Sequence, residues 1–163
     1  MKLIKTIILF LVLLTGNTIA NEINGEFNYK KAVRIAEEAI KIAQKRGYNV
    51  SATVIDTNGV IMATVKAEQA WGHTPRVSFK KAFTALKSQT NSSILIEKLI
   101  AGGYPEMQKF IVANMPDQDN LIFLKGGIII TKNSKIVGAI GVGGAPDGQF
   151  DEEIAIEAIK SVK

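Results

Sequence analysis

"GGIIITKNSKIVGAIGVGGAPDGQFDEEIAIEAIK", residues 126–160, decides the fold. Two glycine pairs, Gly126-Gly127 and Gly143-Gly144, bracket two apolar runs split by the polar residues Lys132-Asn133-Ser134. That is the pattern of a hairpin, with strands over Gly127–Thr131 and Ile136–Val142. From Phe150 to Ser161, Ile154, Ala155, Ala158 and Ile159 recur at helical spacing, so a helix closes the stretch. The glycines do not spell a phosphate cradle. A dinucleotide fingerprint needs Gly-x-Gly-x-x-Gly inside a parallel unit, and a Walker loop needs Gly-Lys-Ser/Thr. Neither is present. Gly138 and Gly141 leave room beside their strand for something to press close, either a neighbouring backbone or a flat ligand. The residues alone leave both readings open.

Upstream, "VSATVIDTNGVIMATVK" is a second hairpin, Val50–Ile55 and Val60–Val65, turned at Asp56-Thr57-Asn58-Gly59. Asn-Gly supplies positive φ at little cost. Before it, Ala32, Ile35, Ala36, Ala39, Ile40 and Ala43 form one apolar helix face, and Gly47 stands where a helix would end. After it, Thr74-Pro75 opens another helix, with Thr74 as N-cap and Pro75 at its first position. Val77, Phe79, Ala82, Phe83 and Leu86 are its apolar set. A short helix from Ser92 or Ser93 closes at Gly102-Gly103. The following stretch reads as irregular, with a short strand near Leu121–Leu124. Hairpins, not crossovers, join the strands. The sheet is therefore expected to be mainly antiparallel, in a single α+β domain. Strands apolar on both faces need helices, or a partner subunit, on both faces.

The chain has 163 residues, 47% hydrophobic, and carries a formal charge of +5. It suits one domain with its own core. Its basic residues are unclustered and its single tryptophan is Trp71, which argues against nucleic-acid binding. The first residues read as a secretory signal peptide over 1–20: Lys2 and Lys5, an apolar run from Ile7 to Leu14, then Thr18-Ile19-Ala20. Cleavage after Ala20 is expected, giving a mature secreted or periplasmic domain over 21–163 with no stable membrane anchor. There are no cysteines, so disulfides, thiolate chemistry and a lipid-bearing N-terminal cysteine are excluded. Strands apolar on both faces in so small a domain point to a homo-oligomer built from dimers.

Taken in order, "YNVSATVIDTNGVIMATVKAEQA", "FKKAFTAL" and "GGIIITKNSKIVGAIGVGGAPDGQFDEEIAIEAI" resemble the GlcG/HbpS-like family. The matching positions are Asp56 to Gly59, Lys81-Ala82-Phe83-Thr84-Ala85, Gly126-Gly127, Gly138 to Gly144 and Asp151. The resemblance implies a profilin-like α/β/α domain that forms dimers and larger assemblies. It also implies, for some secreted members, haem binding and a part in redox-linked sensing. Many members carry Val-Ser-Gly where Val142-Gly143-Gly144 stands, so a serine contact does not carry over.

His73 is the only histidine. In the loop "AWGHTPR" it fits an axial haem ligand, imidazole being a common donor. It also fits a solvated loop residue or a capping partner. Met62, Met107, Met115 and Tyr104 are candidate second ligands, or core and loop filling. Arg76, Lys80 and Lys81 fall in the first two turns after Thr74, where they could pair with propionates or simply face water. Gly126, Gly127, Gly143 and Gly144 complete the candidate ligand-binding set. Asp56 reads as a turn-former. Asp147 and Asp151 complement a helix dipole, and Asp151 fits an N-cap. Thr84 reads as a packing or back-bonding residue. No nucleophile–base–acid pattern announces catalysis. Three functions fit: a small-ligand binder, foremost for haem or another tetrapyrrole; an enzyme or accessory protein for a small organic acid or cofactor; and an oligomer without a ligand. The first is the expectation, with His73 and Gly143-Gly144 bordering one pocket. The alternative places those two loops at opposite ends of the sheet.

Overall fold

The computed structural model describes residues 21–162. The expected leader, 1–20, lies outside the described residues. Helix α1 is Tyr29–Lys45, strands β1 and β2 are Ser51–Asp56 and Ile61–Lys66, and helices α2 and α3 are Thr74–Ser88 and Ser92–Ala113. A 3₁₀ turn, Met115–Asn120, precedes strands β3, Gly127–Lys132, and β4, Lys135–Gly143; helix α4 is Gly148–Ser161. The four strands form one sheet in the order β2-β1-β4-β3, and every pair is antiparallel. Helices α1 and α4 cover one face and α2 the other, the α/β/α arrangement expected from the sequence.

Both turns follow their residues. The Asp56 carboxylate accepts from the backbone N–H of Asn58 and of Val60, each at 2.9 Å. Asn133 and Ser134 both sit in the left-handed region, φ 49° and 59°, so two residues suffice to reverse β3 into β4. Helix α1 buries all six residues of its apolar face. Against them pack Ala52, Val54, Ile128, Ile130, Ile140 and Val142 of the sheet and Ile154, Ala155, Ala158 and Ile159 of α4.

The other face differs from the expectation. Helix α2 buries Thr74, Ser78, Lys81, Ala82, Phe83, Thr84 and Ala85, so the residues turned to the sheet are small and polar more than apolar. The sheet explains why. A Cβ on Gly141 would lie 1.9 Å from the Ser78 carbonyl oxygen, and one on Gly127 would lie 2.1 Å from that of Lys81. The helix backbone rests on the glycines. Of the two readings left open, the neighbouring backbone is the one found. At that separation the hydroxyls pair across the layers: Thr53 with Ser78 at 2.8 Å and Ser51 with Thr74 at 2.7 Å.

Two further differences concern the segment between α3 and β3. Gly103 breaks α3 with φ 65° and ψ −161°, as expected, but the chain resumes helically through Ala113 because Pro105 sits in a new first turn, where no N–H is needed. Residues 121–124 form no strand; they cross over α2, where Thr84 Oγ1 accepts from the Ile122 N–H at 2.8 Å. Residues 21–23 also run along the outer edge of β3, bonded through Ile23 N–H to Thr131 O and Thr131 N–H to Asn21 O, each 2.9 Å.

Candidate functional site

The site begins at the start of α2. Thr74 is the first helical residue, not the cap, and His73 stands in the capping position without a capping side-chain bond. Thr74 cannot cap because its hydroxyl is used elsewhere: it lies 2.8 Å from the Trp71 carbonyl and 2.7 Å from Ser51 Oγ. The turn Trp71-Gly72-His73 thus projects from the body with all three residues exposed. The Trp71 and His73 rings meet edge to face, 5.8 Å between centroids.

The opposite wall is the chain leaving β4. Gly144, at φ 130°, packs against the Asn49 carbonyl and turns the chain towards α4. Asp147 caps α4, accepting from Gln149 N–H at 2.8 Å. Asp151 is therefore not the cap. It is buried one turn further in, where Oδ2 lies 2.6 Å from Lys81 Nζ and Oδ1 accepts from Ala145 N–H at 3.1 Å. Both side chains are only 3% exposed. Burial pushes the Asp151 carboxyl above its ordinary range, against the opposing pull of Lys81. The pair joins α2 to α4 across the end of the sheet.

Between these walls lies a cleft of about 420 Å³, lined in part by Trp71, His73, Leu124, Gly144 and Pro146, with Lys81 and Asp151 also on its lining. His73 and Gly144 border the same cleft. Of the remaining candidates only Lys81 lines it. Gly143 faces Val77, Gly126 backs the ion pair, and Gly127 lies under α2, so protein atoms pack against all three. Lys81, on the lining, already holds the Asp151 carboxylate. Arg76 is exposed and Lys80 half-buried, and neither lines the cleft. Nor do Met62, Met107, Met115 or Tyr104. Trp71, Leu124 and Pro146 also line the cleft; the signal in the sequence is that the single tryptophan stands two residues before the single histidine.

Donor chemistry limits what the cleft could hold. Among the described residues no group of three or more His, Cys, Asp or Glu side chains could hold a metal ion. A metal already equatorially ligated by a macrocycle needs only an axial donor, and His73 offers one. Trp71, 74% exposed, and Leu124, 47% exposed, leave apolar surface for a flat body. A single imidazole beside apolar surface is a donor set that a tetrapyrrole could use.

An antiparallel sheet between two helical layers, with a cleft framed by the starts of α2 and α4, defines the class of protein. The family described as haem degrading protein HbpS-like matches residues 27–160, and the chain belongs to it. HbpS of Streptomyces reticuli, solved as a double mutant, is 29% identical with a TM-score of 0.70, over 86% of this chain and 88% of that one. A further HbpS structure is 30% identical with a TM-score of 0.71, over 86% of this chain and 92% of that one. The PduOC:heme complex is 20% identical with a TM-score of 0.71, over 84% and 95%; at that identity the likeness shows the fold alone. No curated protein matches the chain.

Proposed function

We propose that the protein binds haem, or a tetrapyrrole of similar shape, in this cleft, with His73 as the protein's donor to the iron. The observation that carries the reading is the paired exposure of His73 and Trp71 on one turn at the cleft, an imidazole beside a large apolar ring. Membership of a haem-associated family supports it. The iron, when bound, would supply redox chemistry. Trp71, Leu124 and Pro146 would shield the macrocycle from water. The organic-acid reading is weaker, since Lys81 is neutralised by Asp151 and the lining holds no other lysine or arginine.

Haemin titrated into the mature protein should give a saturable, shifted Soret band. His73→Ala should bind roughly tenfold or more weakly, a difference of at least about 1.4 kcal/mol, with a changed spectrum. An unchanged titration for His73→Ala would overturn the assignment.

The reading includes export and self-association. The signal-like pattern before Asn21 supports export, and N-terminal sequencing of exported material should begin at Asn21. Exposed Ile100, Tyr104, Val112 and Met115 around α3 support an oligomer. Light scattering should report more than one subunit at micromolar concentration.

A further inference from the structure

We propose that the buried hydroxyl pair Ser51–Thr74 aims His73, making Thr74 a positioning residue for the ligand of this cleft. The inference rests on the reading of His73 as the donor. Trp71, Gly72 and His73 are all exposed, and a Cβ on Gly72 would meet nothing within 4 Å. Side-chain packing against the body therefore does little to fix the turn. Two ties hold it: the His73 carbonyl accepts from the Val77 N–H at 3.1 Å, and the Trp71 carbonyl is held by Thr74, itself 3% exposed. Its N–H donates to the Trp71 carbonyl at 3.1 Å, and its Oγ1 donates to the same oxygen at 2.8 Å.

A hydroxyl has one proton. With the Thr74 proton on Trp71 O, the 2.7 Å contact with Ser51 Oγ must be donated by Ser51. The chain thus runs one way, from Ser51 on β1 through Thr74 to the Trp71 carbonyl. It fixes the backbone from which the imidazole projects. A donor on a loosened turn must be ordered on ligation, which weakens binding, and it samples more than one approach to the metal.

A second buried hydroxyl provides the comparison. Ser78, one turn along the same helix face, bonds Thr53 at 2.8 Å and its own Pro75 carbonyl at 2.8 Å. It touches no part of the Trp71–His73 turn through these bonds. Thr74→Val keeps the shape and removes the hydroxyl, Thr74→Ser keeps the hydroxyl, and Ser78→Ala removes an equally buried one elsewhere.

The experiment measures haemin affinity, the Soret and axial-ligand spectra, melting temperature and the anisotropy of Trp71 fluorescence for each variant. Trp71 is the only tryptophan, so its anisotropy reports the turn without any ligand. Thr74→Val is expected to weaken haemin binding about tenfold, give a mixed axial-ligand spectrum and lower the Trp71 anisotropy. Thr74→Ser should restore all three. Ser78→Ala should lower the melting temperature yet leave affinity and anisotropy as in the parent. The proposal is overturned if Thr74→Val matches the parent in affinity and anisotropy, or if Ser78→Ala moves both as far. Should His73→Ala bind haemin as the parent does, the donor reading fails separately; Trp71 anisotropy would still decide whether Thr74 orders the turn.

Discussion

Lys81→Met is expected to destabilise the protein by about 3–5 kcal/mol at neutral pH, the usual cost of stranding one member of a buried ion pair. Lys81 and Asp151 are each 3% exposed and 2.6 Å apart. The loss should depend on pH in a defined direction. The Asp151 carboxyl is already raised by burial, with Lys81 opposing the shift. Without the ammonium it rises further. A carboxyl whose folded pKa lies above its unfolded value of about 3.9 stabilises the fold fully below that value. That stability is lost as pH rises through the folded pKa. Urea unfolding should therefore show a large deficit at pH 7 that shrinks towards pH 4.5. Asp151→Asn strands the ammonium instead, and its deficit should persist at the lower pH. Equal deficits for Lys81→Met at both values would show that the carboxylate is not the source of the cost. Replacing both residues by apolar ones of similar volume should cost far less than either single change.

That pair also marks where the sequence stopped being legible. Lys81 follows Lys80 in a helix, and nothing in "SFKKAF" says which lysine faces inward. The choice is made by Gly127 and Gly141, which let α2 settle with Ser78 and Lys81 against the sheet. Asp151, one turn inside α4, reads locally as a dipole-complementing carboxylate, because its partner is 70 residues away in the chain. By contrast, the hairpins, helix α1 and the antiparallel order were legible, because Asn58-Gly59, Lys132-Asn133-Ser134 and the 3.6-residue spacing of alanines and isoleucines are local signals. His73 was legible as a residue and as a loop. Its neighbours across the cleft, Leu124 and Pro146, were not, since tertiary packing alone brings residues 71, 124 and 146 together. The helix after Gly103 was missed for a similar reason: Tyr104-Pro105 looks like a break, and proline is tolerated in a first helical turn.

Gly141→Ala should have the other large effect. The added methyl would fall 1.9 Å from the Ser78 carbonyl oxygen and 2.6 Å from the Ala82 nitrogen. Both are backbone atoms of α2, so no side-chain rotation relieves the clash. Gly141 carries no positive φ, hence the cost is space and not conformational strain. Overpacking typically costs about 1–3 kcal/mol, occasionally more, and a clash with rigid backbone puts this change at the upper end. Relief requires α2 to lift from the sheet, and that movement reaches the site. Ser78 would draw away from Thr53, Thr74 from Ser51, and Lys81 from Asp151, since all three leave from the same helix face. Stability and ligand binding should therefore fall together in Gly141→Ala, read by thermal unfolding and haemin titration on one sample. Gly72→Ala is the matched control. Its methyl meets nothing within 4 Å, and the expected change in stability is within about 0.5 kcal/mol. A Gly141→Ala protein as stable as the Gly72→Ala protein would mean that α2 does not rest on the glycines, and the argument linking the "GAIGVGG" strand to the cleft would fail with it.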